Sequence, residues 1–372
     1  MNQVAPYVDN RHNVATPVGD GGTVPLLRQM SKACATSKPQ CFCRLQSDRP
    51  QRIVVRITAV SDSLQGQHRD STPIPTPGTR TRELRIAIVN FNSGDHLQSC
   101  LESVALTLPG YDWQAAVVDN ASSDGSERAA EAAGRRVKLL RNDENIGFAP
   151  AINRAIAAGT TDRVLILNPD CRLKPGAVDA LMAEFDRHPE SAVLGPCILD
   201  ADGSVQGSAR GDPTVLTGLF GRSTLLSKLL PGASLARQNV RSSEPIPENE
   251  TSLVVDWVSG ACMLARCDAL NRLGGFDERY FLYWEDADLC RRLRTAGYTI
   301  RYVPRAEVEH IVGRSSRSVP DLAIRAFHRS AHLYYTTHVA NGRWDPRRVA
   351  AHLILSTRCR WKLLMSRLRP RR

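Results

Sequence analysis

The chain has 372 residues, 42% of them hydrophobic, enough for a proper buried core in one large domain or two ordinary ones. Its formal net charge of +11 is uneven: residues 1–82 carry 11 basic and 5 acidic side chains (+6), residues 341–372 carry 10 and 1 (+9), and residues 83–340 are left at −4. A positive field confined to the ends excludes a general nucleic-acid binder, and nucleic acid is not an expected partner.

Residues 1–82 are rich in Pro, Gly, Ser, Thr and Gln, with linker chemistry at Ser71-Thr72-Pro73-Ile74-Pro75-Thr76-Pro77-Gly78. They read as a disordered extension in which only Ile53–Ile57 has strand character. From Leu84 the pattern changes. Arg85–Asn90 reads as a buried strand with a helix over 95–106. Ala115–Asp119 is a second strand with a helix over 124–133. Val137–Leu140 is a third, followed by a helix near 148–158. Arg163–Leu167 is a fourth, followed by a helix near 175–187. Strands alternating with helices of this length predict an α/β domain with a mostly parallel sheet. Ligands of such sheets sit at the carboxyl ends of the strands. Those ends are polar four times in succession: Asn90, Asn92 and Ser93; Asp119 through Gly125; Asn142, Asn145 and Gly147; and Asn168-Pro169-Asp170. One such cluster is explained by turn chemistry, but four on one edge predict a cleft. Neither GxGxxG nor GxxxxGK[ST] follows the first strand, which excludes the usual dinucleotide and P-loop sites.

Ten cysteines occur without a CxxC pair, against a zinc site. Cys100, Cys171, Cys197, Cys262, Cys267 and Cys290 read as small buried hydrophobes in a reducing compartment. The first 30 residues lack a basic start followed by an apolar run, and no stretch reaches the roughly 18–20 apolar residues of a spanning helix. The expectation is a cytoplasmic protein, peripheral at the inner face of the cell membrane.

In the second half, Asp256–Ala261 is strand-like and then tight. Phe281, Tyr283 and Trp284 precede Glu285, Asp286 and Asp288, which open a helix. Carboxylates in a first helical turn suit the helix dipole, but that leaves the aromatic group unexplained. Aromatic walls beside carboxylates suit sugar faces and hydroxyls. His310 follows Ala306–Glu309 and precedes Gly313-Arg314-Ser315. Residues 320–340 read as helical. From Pro346 a helix mixes arginines with apolar residues and Trp361, a pattern suited to lying on anionic lipid, with a packed helix as the alternative.

The order Ile88-Val89-Asn90-Phe91-Asn92, Val118 through Ser126, Asn145-Ile146-Gly147-Phe148-Ala149 and Asn168-Pro169-Asp170 resembles glycosyltransferase family 2, in particular its bacterial rhamnosyltransferase-type members, over about residues 84–315. The resemblance implies a GT-A fold, with a Rossmann-like nucleotide-binding half and an acceptor-side half over 83–318, followed by C-terminal helices over 319–372. It implies inverting transfer of a sugar, best taken as L-rhamnose, from a nucleoside diphosphate sugar to a glycan or polyprenyl-linked glycan in cell-surface polysaccharide synthesis. Asn90, Asn92, Asp119, Asn145, Gly147, Asn168 and Arg314 would then hold the nucleotide sugar, and Trp257, Gly260, Tyr283 and Trp284 the acceptor. Asp170 and His310 would hold Mg²⁺ or Mn²⁺, with the first carboxylate of the family's DxD motif replaced by Asn168. Asp286 would be the base, with Glu285 as the alternative. A nucleotidyltransferase would require a Gly-rich basic loop after the first strand, which Asn90–Asp95 is not. A nucleotide-sugar-binding scaffold with a dead site is the non-enzymatic alternative.

Overall fold

In a computed structural model the described residues are 46–47, 53–54, 82–212, 240–311 and 320–368. Met1–Gly78 and Thr79–Arg372 are separate units. In the first, Gln46–Ser47 pairs antiparallel with Ile53–Val54, so the strand character at Ile53 and Val54 is real but short. The expected disorder of residues 1–82 falls almost wholly outside the described residues.

The second unit follows the predicted alternation. β1 (Arg82–Asn90), α1 (His96–Thr107), β2 (Tyr111–Asp119), α2 (Arg128–Ala132), β3 (Val137–Arg141), α3 (Phe148–Ala157) and β4 (Arg163–Leu167) form the first half. Then come β5 (Cys171–Leu173), α4 (Ala177–Arg187), β6 (Ser191–Leu199), β7 (Ala209–Arg210), β8 (Leu253–Val255), β9 (Trp257–Val258), β10 (Cys262–Arg266) and α5 (Cys267–Arg272). The chain continues through α6 (Glu285–Thr295), β11 (Thr299–His310), α7 (Pro320–His338) and α8 (Pro346–Leu368). α2 is shorter than the predicted 124–133, because Asp124–Ser126 are taken up by a turn in which the Asp124 carboxylate accepts from Ser126 N–H.

The main sheet has the order β8-β11-β6-β10-β4-β1-β2-β3, with β5 paired to β11. β3, β2, β1 and β4 are mutually parallel, and β11 is parallel to β6. β10 runs antiparallel between β4 and β6. β1, β4 and β6 are largely buried apolar runs because both faces are covered, while β3 lies at the sheet edge without a fully buried residue. Alternate residues of β1 serve opposite layers: Ile86 and Ile88 face Leu97, Val104, Leu181 and Phe185, while Ala87 and Val89 face Ile152, Ala155, Leu289 and Leu293. Cys100, Cys171, Cys197, Cys262 and Cys290 are buried, and Cys267 is half-buried.

Candidate active site

The carboxyl ends of β1, β2 and β3 are laced together by carboxamides. Asn90 is fully buried. Its Nδ2 donates to Asp119 Oδ1 at 2.7 Å and Ser126 Oγ at 2.9 Å, and its Oδ1 accepts from Ser93 Oγ at 2.5 Å. Asp119, 3% exposed, also accepts from the Ser122 N–H and hydroxyl. Asn120 donates to the Gly147 carbonyl at 3.0 Å and accepts from Asn142 Nδ2 at 2.6 Å. Asn90 and Asp119 are therefore braces of the cleft edge. The half-buried Asn92, in the left-handed region at φ 48°, stands nearer the surface and accepts from Ser123 N–H. A fully paired buried network of this kind fixes one loop conformation. Asn120 and Asn142 went unread as a pair in the sequence, because their contact spans two strand ends.

Asn145 accepts from Gly147 N–H at 3.0 Å, closing the turn before α3. Gly147 sits at φ 93°, and a Cβ there would lie 2.6 Å from the Phe281 carbonyl oxygen. Phe148 N–H donates to that same carbonyl. Gly147 thus serves as the joint between the loop before α3 and the Phe281–Trp284 segment.

At the end of β4, Asn168 N–H donates to the Ala261 carbonyl at 2.8 Å, and the Asn168 carbonyl accepts from Cys171 N–H. Asp170 and His310 meet here, with His310 Nε2 3.2 Å from Asp170 Oδ1. β5 and β11 impose the meeting, since His310 is opposite Cys171 in their register and Ile311 N–H bonds to the Asp170 carbonyl. Both side chains are about one-seventh to one-eighth exposed, at 14% and 12%. One carboxylate oxygen and one imidazole nitrogen converging beyond the end of β4 fit a divalent cation that keeps most of its positions for phosphate oxygens and water. The neighbouring Cys171 Sγ lies close enough to join them, but its thiol donates to the Ala261 carbonyl at 3.3 Å, and burial pushes its pKa up.

Asp286 lies one residue into α6. Its Oδ2 accepts from Gly260 N–H at 3.0 Å and its Oδ1 from Ala287 N–H at 2.8 Å. A Cβ on Gly260 would stand 3.4 Å from Asp286 Cβ, an ordinary van der Waals contact. Glu285, 6% exposed, has a buried Oε2 with no partner among the described residues. Desolvation, and then the charge of Asp286, push the Glu285 pKa well up; desolvation also raises that of Asp286. The stronger upward push falls on the sealed Glu285, while two backbone N–H donors lower that on Asp286. Asp288 is fully buried in a structural set with Arg292, at 2.7 Å, and His338 of α7, also at 2.7 Å.

Tyr283 and Trp284 adopt φ 67° and 71° in succession, a costly conformation for side chains with a Cβ. α7 holds them there: Phe327 packs on both rings, Tyr334 on Trp284, and Ser330 Oγ donates to the Leu282 carbonyl. Both aromatics are partly covered by this helix rather than forming an open wall. Trp257 donates to the Gly211 carbonyl and stacks under Arg210. Arg314 lies outside the described residues.

Three comparisons bear on this arrangement. A family model described as glycosyl transferase family 2 matches residues 85–273. An N-acetylglucosaminyl-diphospho-decaprenol L-rhamnosyltransferase of Mycobacterium tuberculosis is 36% identical over 265 residues, which are 68% of this chain and 84% of that protein. The rhamnosyltransferase WbbL of Escherichia coli strain K12 is 42% identical over 81 residues, 22% of this chain and 31% of that one.

Proposed function

Because the chain belongs to glycosyl transferase family 2, we propose that it is an inverting rhamnosyltransferase that moves L-rhamnose from a nucleoside diphosphate donor to a polyprenyl-diphosphate-linked glycan in cell-surface polysaccharide synthesis. The sugar and acceptor are carried over from the relatives' names, and the domain of this activity is taken as residues 83–318. The observation that carries the reading is the linkage of two chemical groups through one strand end. Asn168, two residues before Asp170, is bonded to Ala261, and Gly260, next to Ala261, holds Asp286.

In this scheme the carboxamide-braced loops after β1 to β3 bind the nucleotide. Asp170 and His310 hold the divalent ion, and their mixed oxygen and nitrogen donors favour Mn²⁺ over Mg²⁺. A bound ion supplies charge stabilisation to the departing diphosphate. Asp286 Oδ2 takes the proton of the acceptor hydroxyl. The resulting oxygen attacks the anomeric carbon from the face opposite the diphosphate, and its configuration inverts. Gly260 N–H holds the carboxylate in place, and neutral Glu285 beside it leaves Asp286 as the anion. Arg314 is assigned to the diphosphate by family resemblance.

Contact with an anionic membrane surface belongs to the same proposal. α8 leaves Val349, Leu353, Ile354, Trp361, Leu364, Met365 and Leu368 exposed. At 100° per residue they form one stripe, with Arg360 and Arg367 at one margin and Arg347 at the other. Such a helix suits the headgroup boundary, where a lipid-linked acceptor would be presented.

The test is transfer by the purified protein with Mn²⁺ from dTDP-rhamnose, UDP-glucose, UDP-GlcNAc or GDP-mannose to polyprenyl-diphospho-GlcNAc, followed by NMR of the product. Rhamnose transfer with inverted anomeric configuration is expected. Retention, or transfer only from another donor, would refute the assignment.

A further inference from the structure

The hairpin after β6 carries two residues that no motif singles out, Asp200 and Gln206. Gln206 is fixed by its backbone, whose N–H donates to the Ile198 carbonyl at 2.8 Å. Its side-chain Nε2 donates to Asp200 Oδ1 at 2.7 Å and to the His310 carbonyl at 3.1 Å. Its Oε1 lies 3.1 Å from His310 Nδ1. A carboxylate and a carbonyl only accept, so they dictate which end of the amide is nitrogen. The remaining end is an acceptor, and a ring nitrogen facing it must carry hydrogen.

We infer that Gln206, oriented by Asp200, is a positioning residue that locks His310 in the Nδ1–H tautomer and aims its Nε2 lone pair at a divalent cation shared with Asp170. The inference rests on reading Asp170 and His310 as the metal donors. A second relationship supports it. In the neutral ring with Nδ1 protonated, Nε2 keeps its lone pair 3.2 Å from Asp170 Oδ1, a spacing at which one divalent cation can take both atoms as ligands. Histidine ligands are generally held by a partner on their other nitrogen, whose loss weakens metal binding about 10–100-fold. Here the partner is a neutral amide, and the carboxylate sits one bond further out. The imidazole is therefore oriented without a full negative charge placed directly against it.

The experiment has two arms. In protein labelled with ¹⁵N-histidine and loaded with Mg²⁺, long-range ¹H–¹⁵N correlation reports the tautomer of each ring, with the His310 signals assigned by their loss in His310→Asn. A protonated Nδ1 and bare Nε2 are expected; a protonated Nε2 would overturn the inference. In the second arm, Mn²⁺ affinity is read from the EPR signal of the free ion. Gln206→Leu should bind about 10–100-fold more weakly. Unchanged affinity in Gln206→Leu would overturn it. Should Gln206→Leu fail to fold, the wild-type tautomer decides. If the wild type takes up no Mn²⁺, the metal assignment of Asp170 and His310 falls instead, and the tautomer in metal-free protein still decides the role of Gln206.

Discussion

Gly147 and Phe281 touch through their backbones: the space a Cβ would need on Gly147 holds the Phe281 carbonyl oxygen, 2.6 Å away. The loop before α3 meets the segment before α6 at this point. The Phe281 carbonyl is held in turn by Phe148 N–H.

Gly147→Ala should therefore cost more than a surface substitution. Its φ of 93° is unfavourable for any residue with a Cβ, and the obstacle is backbone, which cannot rotate away. We expect a loss of about 1–3 kcal/mol, read by urea unfolding. Activity should fall further than stability does, because the segment that moves carries Tyr283, Trp284 and Asp286. Wild-type stability would contradict the close approach.

Asp286→Asn should lower the transfer rate by about 10²–10⁴-fold with little change in donor binding. Glu285→Gln keeps the neutral form that burial favours and should cost less than about tenfold on the same scale. Steady-state rates at saturating donor separate the two, and a reversed order would make Glu285 the base.

Burial raises both carboxyls, so the acid limb of kcat/KM should lie above the ordinary aspartate value of about 3.9. Activity falls as pH drops through the raised value, because the base must be ionised. Stability runs the other way. A carboxyl whose folded pKa is raised binds its proton more tightly in the native state, so stability is greatest at low pH. It declines as pH rises from the unfolded value, about 4.3 for Glu285, through the folded one. Glu285→Gln should flatten that decline in a series of melting temperatures. A parallel profile would count against its burial as a neutral acid.

Asp170→Asn and His310→Ala should each weaken Mn²⁺ binding by at least about tenfold, by analogy with other metal-site losses. Cys171→Ala should leave it unchanged, because that thiol is directed at the Ala261 carbonyl. Calorimetric titration distinguishes the three. A loss in Cys171→Ala equal to the others would make the thiol a ligand.

Replacing Trp361, Leu364 and Leu368 with Ser should abolish co-sedimentation with vesicles containing anionic lipid, while far-UV circular dichroism stays that of the wild type. Binding by the triple variant equal to wild type would remove α8 from the membrane assignment. Among the described residues no helix is long and apolar enough to cross a bilayer.

Much of the fold was legible because β1 to β4 are apolar runs separated by amphipathic helices, a pattern set by local periodicity. The positions of Asp170, His310 and Asp286 were legible because each follows or opens an element, and the structure puts Asp170 beside His310 and Asp286 beside Gly260. Their support was not. Gln206 and Asp200 come from a hairpin whose sequence is ordinary turn chemistry, and they matter only because β11 brings His310 alongside. The role of Gly147 was missed for the same reason, since Phe281 is distant in sequence. Nothing local announces that Phe327 and Tyr334 pack on Tyr283 and Trp284, the aromatic wall beside the carboxylates.

β10 is the antiparallel strand between β4 and β6, with Cys262 opposite Leu167. A one-residue slip would turn each of its side chains to the other face and pull Gly260 out of line with Asn168. The proposed base and the proposed metal donors are thus spaced by a ladder of main-chain bonds, as the jaws of a caliper are spaced by its beam. On that proposal, side chains around the acceptor can change while the gauge between nucleophile and leaving group stays set.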